Sequence, residues 1–457
     1  MAPSNNNSGE RDALLGNNNN RQHTYHVPNA VSPNPAHLPL PQDDLGNGAQ
    51  GDIGVVASLK ALLFSGWLNI LLVAVPLSFI SHFAKWGQSV NFRSDRDSMH
   101  PVSGPTERLT LALRCATGAT ADFIISFIAI IPLASLLGDA TEQCALKLGQ
   151  TLGGLMNAVS YAVEAIVGIL ALTKGELRIV QTSMLGSILS NILLVLGCSF
   201  LAAGYKFKES NFQVTAAQAS SSLMVLGTTT LVIPAAYHVS RKEANGDSFT
   251  TLLTAVGDKT KVFDGLLTIS RGTAIILLVC YAFYLLFQLK THAYLFEDPQ
   301  DHEEEEAKMN VTTAVASLCV VTVITSFCAD YLVGAIDEFA DQYKIPKSFI
   351  GLILIPIVGN AAEHVTSVWM AMKGKMEITI GVAIGSSIQI AVGVIPLLVV
   401  VGWAIGQNLT LYFETFETII LFISIYLVNC LVQDGKSNWL EGMMLVALYA
   451  IIALSFW

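Results

Sequence analysis

The sequence predicts an all-α polytopic membrane protein of about 11 transmembrane helices: one leading helix, then two inverted five-helix repeats. Three observations carry this. Of 457 residues, 52% are apolar and only 13% are Asp, Glu, Lys or Arg, about half the charge that covers a soluble domain. The apolar residues gather into stretches that can each fill a span of roughly 20 residues. The two halves of the chain also carry the same intramembrane carboxylate pattern at one fixed spacing. The composition excludes a disordered chain. A net charge of −10, with no large basic patch, excludes a nucleic-acid binder.

Residues 1–52, rich in Asn, Pro, Gly and Ser, read as a disordered tail. Within it, Glu10-Arg11-Asp12-Ala13-Leu14-Leu15 has the form of an acidic dileucine signal that a sorting adaptor would read at Leu14 and Leu15 on a cytosolic tail. The pattern is short, and chance is an equal reading. The leading span is expected at 64–84, where it would serve as an uncleaved signal because the preceding residues are polar. Residues 85–121, with Arg93, Asp95, Arg96, Asp97, Pro101, Pro105, Glu107 and Arg108, are expected to form a loop containing an unusual insertion.

The first repeat, 122–290, holds spans near 122–138, 151–172, 183–204, 214–236 and 272–290. An acidic linker follows at 291–310. Its FEDPQDHEEEEAK segment includes Glu303, Glu304, Glu305 and Glu306, a block of like charge that is normally solvated. The second repeat, 311–457, holds spans near 311–334, 348–372, 378–402, 412–433 and 439–457. Glu414 and Glu417, at the start of the tenth span, are expected to face water or headgroups. Lys and Arg are nearly balanced between alternate loops, so charge alone does not fix orientation. The seven cysteines are odd in number and show no C-x-x-C pair; most sit in apolar runs and read as core residues.

The repeat is visible in residues. Glu164, Lys174-Gly175 and Gly186-Ser187 recur as Glu363, Lys373-Gly374 and Gly385-Ser386, each first-half number plus 199. Five spans per half is an odd number, so adjacent copies must insert with opposite orientation. That is a recurrent plan of secondary transporters, with substrate held at the midplane between the halves.

Chemistry concentrates at Gly359-Asn360-Ala361-Ala362-Glu363-His364. A charged side chain in a span costs several kcal/mol and is functional by default. Asn360 and Glu363 share a helix face. Gly359, Gly186 and Gly385 permit close helix approach. Carboxylate, amide and carbonyl oxygens suit a hard cation, and Glu164 with Glu363 would balance one divalent charge. A polar contact between helices is the plainer alternative. His364 either shuttles protons or only packs. Ser187, Ser190, Ser386, Ser387 and Gln389 read as small polar packing, with a cation-facing role favoured for Ser190 and Gln389. Glu142 and Asp330 are accessory acids that could draw cations toward the site; for Glu142 a solvated helix end is an equal reading. There is no Walker A sequence. Asp258-Lys259-Thr260 is followed by Lys261, with no room for a nucleotide domain. The expectation is a transporter, not an enzyme, with no cofactor or nucleotide, run by an ion gradient.

The chain resembles the vacuolar calcium/proton exchangers of the cation/calcium exchanger superfamily, most closely the fungal members. The resemblance runs from about Leu68 to the C-terminus apart from 89–121. It rests on AIIPLASLLGDATEQ at 129–143, LGQTLGG at 148–154, KGELRIVQTSMLGSILSN at 174–191, PIVGNAAEHVTSV at 356–368, GVAIGSSIQ at 381–389 and SNWLEG at 437–442. It implies a vacuolar-membrane antiporter for calcium and protons, with the N-terminus and acidic segment cytosolic and the C-terminus lumenal. It also implies a calcium site between the two Gly-Asn-Ala-x-Glu helices, here Asn360, Glu363 and Glu164. The first motif departs from the family pattern: Ser160 and Tyr161 precede Ala162-Val163-Glu164, and a bulky phenol stands where an amide ligand is expected. This leaves two alternatives, other ions on the same fold (Mn²⁺/H⁺ or Na⁺-coupled exchange) and a transport-impaired regulatory membrane protein. A homo-oligomer is compatible with the sequence.

Overall fold

A computed structural model describes residues 54–64, 66–83, 105–148, 162–244, 251–293 and 308–457. The tail with Leu14 and Leu15, residues 84–104, Ser160, Tyr161 and the Glu303–Glu306 block lie outside these. The chain is built from helices α1 (Val55–Leu63), α2 (Trp67–Phe83), α3 (Pro105–Leu148), α4 (Ala162–Thr173), α5 (Leu177–Lys206), α6 (Val214–Ala244) and α7 (Thr251–Leu286, prolonged by a π-helical turn at Phe287–Thr291). After the acidic segment come α8 (Val311–Tyr343), α9 (Lys347–Gly359), α10 (Ala361–Met372), α11 (Met376–Ala404), α12 (Thr415–Leu431) and α13 (Trp439–Phe456). Two short strands, β1 (Ser210–Asn211) and β2 (Lys436–Ser437), pair antiparallel between α5–α6 and α12–α13.

Among the described residues, seven helices are long and apolar enough to cross a bilayer, or nine if α1 with α2 and α9 with α10 each count as one bent span. The count of 11 is therefore not reached on length and composition. The third and tenth expected spans correspond to the short apolar helices Val163–Thr173 and Thr415–Leu431. A second difference concerns 105–121, expected as loop but helical as the start of α3. Pro105 suits the first helical position, and the Leu and Ala residues that follow continue the helix.

The repeat at offset 199 reappears in the element bounds. α4 ends at Thr173 and α10 at Met372. α5 switches to π-helical turns at Ser190–Val195, and α11 does so at Gln389–Val394. The α4–α5 and α10–α11 turns both close on a left-handed glycine, Gly175 at φ 79° and Gly374 at φ 83°, a conformation costly for any residue with a Cβ. α5 and α11 are the central pair, with 83% and 78% of their apolar windows buried, against 17% for α7 and 22% for α13.

Close helix approach is set by glycine. A Cβ on Gly186 of α5 would strike the Leu352 carbonyl and the Pro356 ring of α9, and one on Gly351 would strike the Thr182 hydroxyl. Gly197 of α5 and Gly442 of α13 meet backbone to backbone in the same way. By contrast, nothing described lies within 4 Å of a Cβ on Gly385, so its expected close approach is not seen; the segment that the repeat would set against it, 151–161, lies outside the described residues. Gly186→Val is expected to push α5 off α9 and cost at least about 1–3 kcal/mol, read as a lower thermal midpoint in detergent; an unchanged midpoint would contradict this packing.

Candidate ion-binding site

α10 begins where α9 breaks. Asn360, at φ −90° and ψ 18°, joins the two helices across a 55° bend. A π-helical turn at Ile350–Leu354 lies just upstream, a feature common at functional sites. Such a break leaves the carbonyls of one helix end and the amides of the next without intrahelical partners. Discontinuous helices of this kind build the binding sites of secondary transporters.

The break places Glu363 in the first turn of α10, as Glu164 stands in the first turn of α4. The two carboxylates are close enough for their charges to interact. Gly359 lies against Glu164: a Cβ there would come 3.8 Å from its Oε1. Asn360 is fully buried and its Nδ2 donates to the Ser187 carbonyl of α5 at 3.2 Å. Glu164, Gly359 and Ser187 line one pocket with Ile130 of α3 and Leu332 of α8. The structure thus gathers four expected residues, Glu164, Gly359, Asn360 and Glu363.

What the gathered oxygens lack is donors. Glu164 Oε2, Glu363 Oε2 and Asn360 Oδ1 are buried without a hydrogen-bond partner. Buried acceptors of this kind are nearly always satisfied, and a hard cation satisfies them. Among the described residues no three His, Cys, Asp or Glu side chains gather as a metal cluster. A cation held here would therefore take its oxygens from two carboxylates plus amide and backbone groups. His364 is hooked on the same break. Its Nδ1 lies 2.7 Å from the Asn360 carbonyl, which can only accept, so Nδ1 carries the hydrogen and the buried Nε2 is an acceptor without a partner.

The other expected residues are placed less uniformly. Ser190 and Gln389 open the two matched π-helical turns. Gln389 Oε1 and the Ser190 hydroxyl are both buried without a partner. Ser386 and Ser387 donate to carbonyls of their own helix, Val382 and Ala383. Glu142 belongs to α3, with its side chain outside the described residues. Asp330 is not free for cations: Lys174 of the α4–α5 turn holds its carboxylate at 2.7 Å and its carbonyl at 2.6 Å. Glu417 corrects an expectation. Glu414 is exposed as anticipated, but Glu417 is fully buried and bidentately bound by Arg178 of α5, because α12 turns its first coil inward against α5. One residue was missed. Asn191 is 1% exposed and both its side-chain polar atoms lack partners. An amide inside an apolar run, the signal that singled out Asn360, marks it in the sequence as well.

The sequence pattern of the sodium/calcium exchanger protein family matches residues 119–290 and 313–457. The chain belongs to that family. It is similar to a vacuolar calcium ion transporter of Schizosaccharomyces pombe, 44% identical over 407 residues and covering 88% of each chain. It is also similar to a Ca²⁺/H⁺ antiporter of Synechocystis, 36% identical over 405 residues, covering 85% of this chain and 96% of the relative. Among solved structures it matches the Ca²⁺/H⁺ antiporter protein YfkE, 29% identical with a TM-score of 0.62, over 85% of this exchanger and 98% of that chain.

Proposed function

We propose that this exchanger is a secondary antiporter of the vacuolar membrane that moves cytosolic Ca²⁺ into the lumen against H⁺, sequestering calcium and supporting its homeostasis. The observation that carries the reading is the pair of buried carboxylates Glu164 and Glu363, each with an oxygen lacking a donor. Names borne by relatives, vacuolar calcium ion transporter and Ca²⁺/H⁺ antiporter, support the choice of ions and membrane.

In this reading the ionised pair binds Ca²⁺ with Asn360 Oδ1 and the side chains of Ser190 and Gln389 completing the oxygen set. Protons arriving from the lumen occupy the same carboxylates, so the two cargoes exclude each other, and His364 Nε2 passes protons to or from the pair. Glu142 supplies accessory negative charge on the approach. Asp330 acts through Lys174, holding the α4–α5 turn against α8. The tail and the acidic linker are cytosolic, Leu14 and Leu15 serve sorting, and no cofactor or nucleotide takes part.

The experiment is ⁴⁵Ca²⁺ uptake into proteoliposomes loaded at acid pH. The expected result is accumulation that collapses when a protonophore dissipates the gradient and that persists without Na⁺. Uptake driven by Na⁺, or competition won by Mn²⁺, would move the reading to other ions. A wild-type chain that transports nothing would overturn it in favour of a regulatory role, for which the Ser160-Tyr161 departure is the motive.

A further inference from the structure

The leading helix α2 has no counterpart in the repeat, yet it is fastened to α3 and α8, which line the pocket beside Glu164 through Ile130 and Leu332. Its seam is polar. Ser78 of α2 and Ser126 of α3 share a 2.7 Å hydrogen bond and are fully buried. One turn on, Ser81 Oγ donates to one oxygen of Asp122, and His82 Nδ1 stands 4.0 Å from the other. The imidazole lies flat on Tyr331 of α8, ring centroids 3.8 Å apart and planes 11° from parallel. Phe79 packs against Phe327 and the edge of Tyr331.

Asp122 is 2% exposed. A carboxylate so buried is costly unless charge and hydrogen bonds compensate it. The basic group paired with it is a histidine, whose charge is switched by protons in the physiological range. The His82 side chain keeps 39% exposure, so the imidazole is not sealed between the helices. We propose that His82 and Asp122 form a second proton-binding site, separate from the Glu164–Glu363 pair, whose occupation clamps α2 onto α3 and α8.

The groups facing His82 give the direction. α3 presents Asp122, and α8 presents the Tyr331 ring with Asp330 beside it. The Asp330 carboxylate is already occupied by Lys174. Protonation therefore places a cation between one ionised carboxylate and an aromatic face, both of which attract it. The clamp is tight while His82 is charged and Asp122 ionised, and it loosens when either charge is lost. Under the orientation proposed above, this end of the bundle is lumenal; that reading supplies the name of the compartment and nothing else in the inference.

The test is hydrogen–deuterium exchange of the full-length protein in nanodiscs between about pH 5.5 and about pH 7.5, the window in which histidine titrates. After correction for intrinsic chemistry, amides at the C-terminal end of α2 are expected to exchange about two- to five-fold more slowly at the acid end, the range of a partly exposed ion pair. His82→Gln and Asp122→Asn should each erase that difference. Both are near-isosteric, and either one that folds decides the matter: a wild-type pH response in it overturns the proposal. The same measurement on Glu363→Gln should retain the response. Its loss there would place the responsive group at the central pair and overturn a separate site, whether or not the chain transports calcium.

Discussion

Glu363→Gln is expected to reduce proton-driven Ca²⁺ accumulation to the level of empty vesicles, with Glu164→Gln giving the same result. The amide fills the same volume at the head of α10, so the bend at Asn360 and the Asn360–Ser187 hydrogen bond should survive. What disappears is one of two negative charges that would neutralise a divalent cation in a site poor in water. Removing one carboxylate partner of a buried cation costs about 3–5 kcal/mol, or about 10²- to 10⁴-fold in affinity. The substitution also removes an exchangeable proton, so residual binding would not be coupled to the gradient. Both substituted proteins should elute from size exclusion as the wild type does, which separates loss of the site from loss of the fold. Full uptake by Glu363→Gln would show that the unpartnered oxygens of Glu164, Glu363 and Asn360 do not form the transport site.

Much of this arrangement was readable from the chain because a bilayer leaves few choices. A span must satisfy its own backbone and so must be helical, and its length follows from its apolar run. The offset between Glu164 and Glu363 carries over into the C-terminal ends of α4 and α10, the π-helical turns of α5 and α11, and the paired turns at Gly175 and Gly374. Three kinds of feature were not readable. The π-helical turns have no side-chain signature, since Ser190–Val195 and Gln389–Val394 share almost no residues. The contact made by Gly186 is legible as an absence of side chain, but Leu352 and Pro356 as its neighbours are not. Ionic partners distant in sequence leave no periodicity. Glu417 looked like a headgroup-facing acid because its partner, Arg178, lies 239 residues earlier. Asp122 escaped notice because its meaning depends on Ser81 and His82 across a segment that reads as loop.

Arg178→Gln should be the most destabilising single change outside the ion site. Arg178 sits at the start of α5, the most buried helix, and meets Glu417 through two nitrogens while also reaching Glu414 at 3.1 Å. Glu417 in turn accepts from the Glu414 backbone amide and so caps α12. Gln181, one turn further along α5, donates to the Thr410 and Tyr412 carbonyls and holds the chain leading into α12. The arginine therefore neutralises a fully buried carboxylate at the joint between the central helix and a peripheral one. Its removal strands that charge, at a cost of about 3–5 kcal/mol, read as a fall in thermal midpoint by fluorescence size exclusion in detergent. Much of the cost is the desolvated charge rather than the lost bond, so the double substitution Arg178→Gln with Glu417→Gln should recover most of the stability. A midpoint unchanged by Arg178→Gln would mean that the pair contributes nothing. A double variant no better than the single one would locate the loss in packing of the arginine stem instead of in the stranded carboxylate.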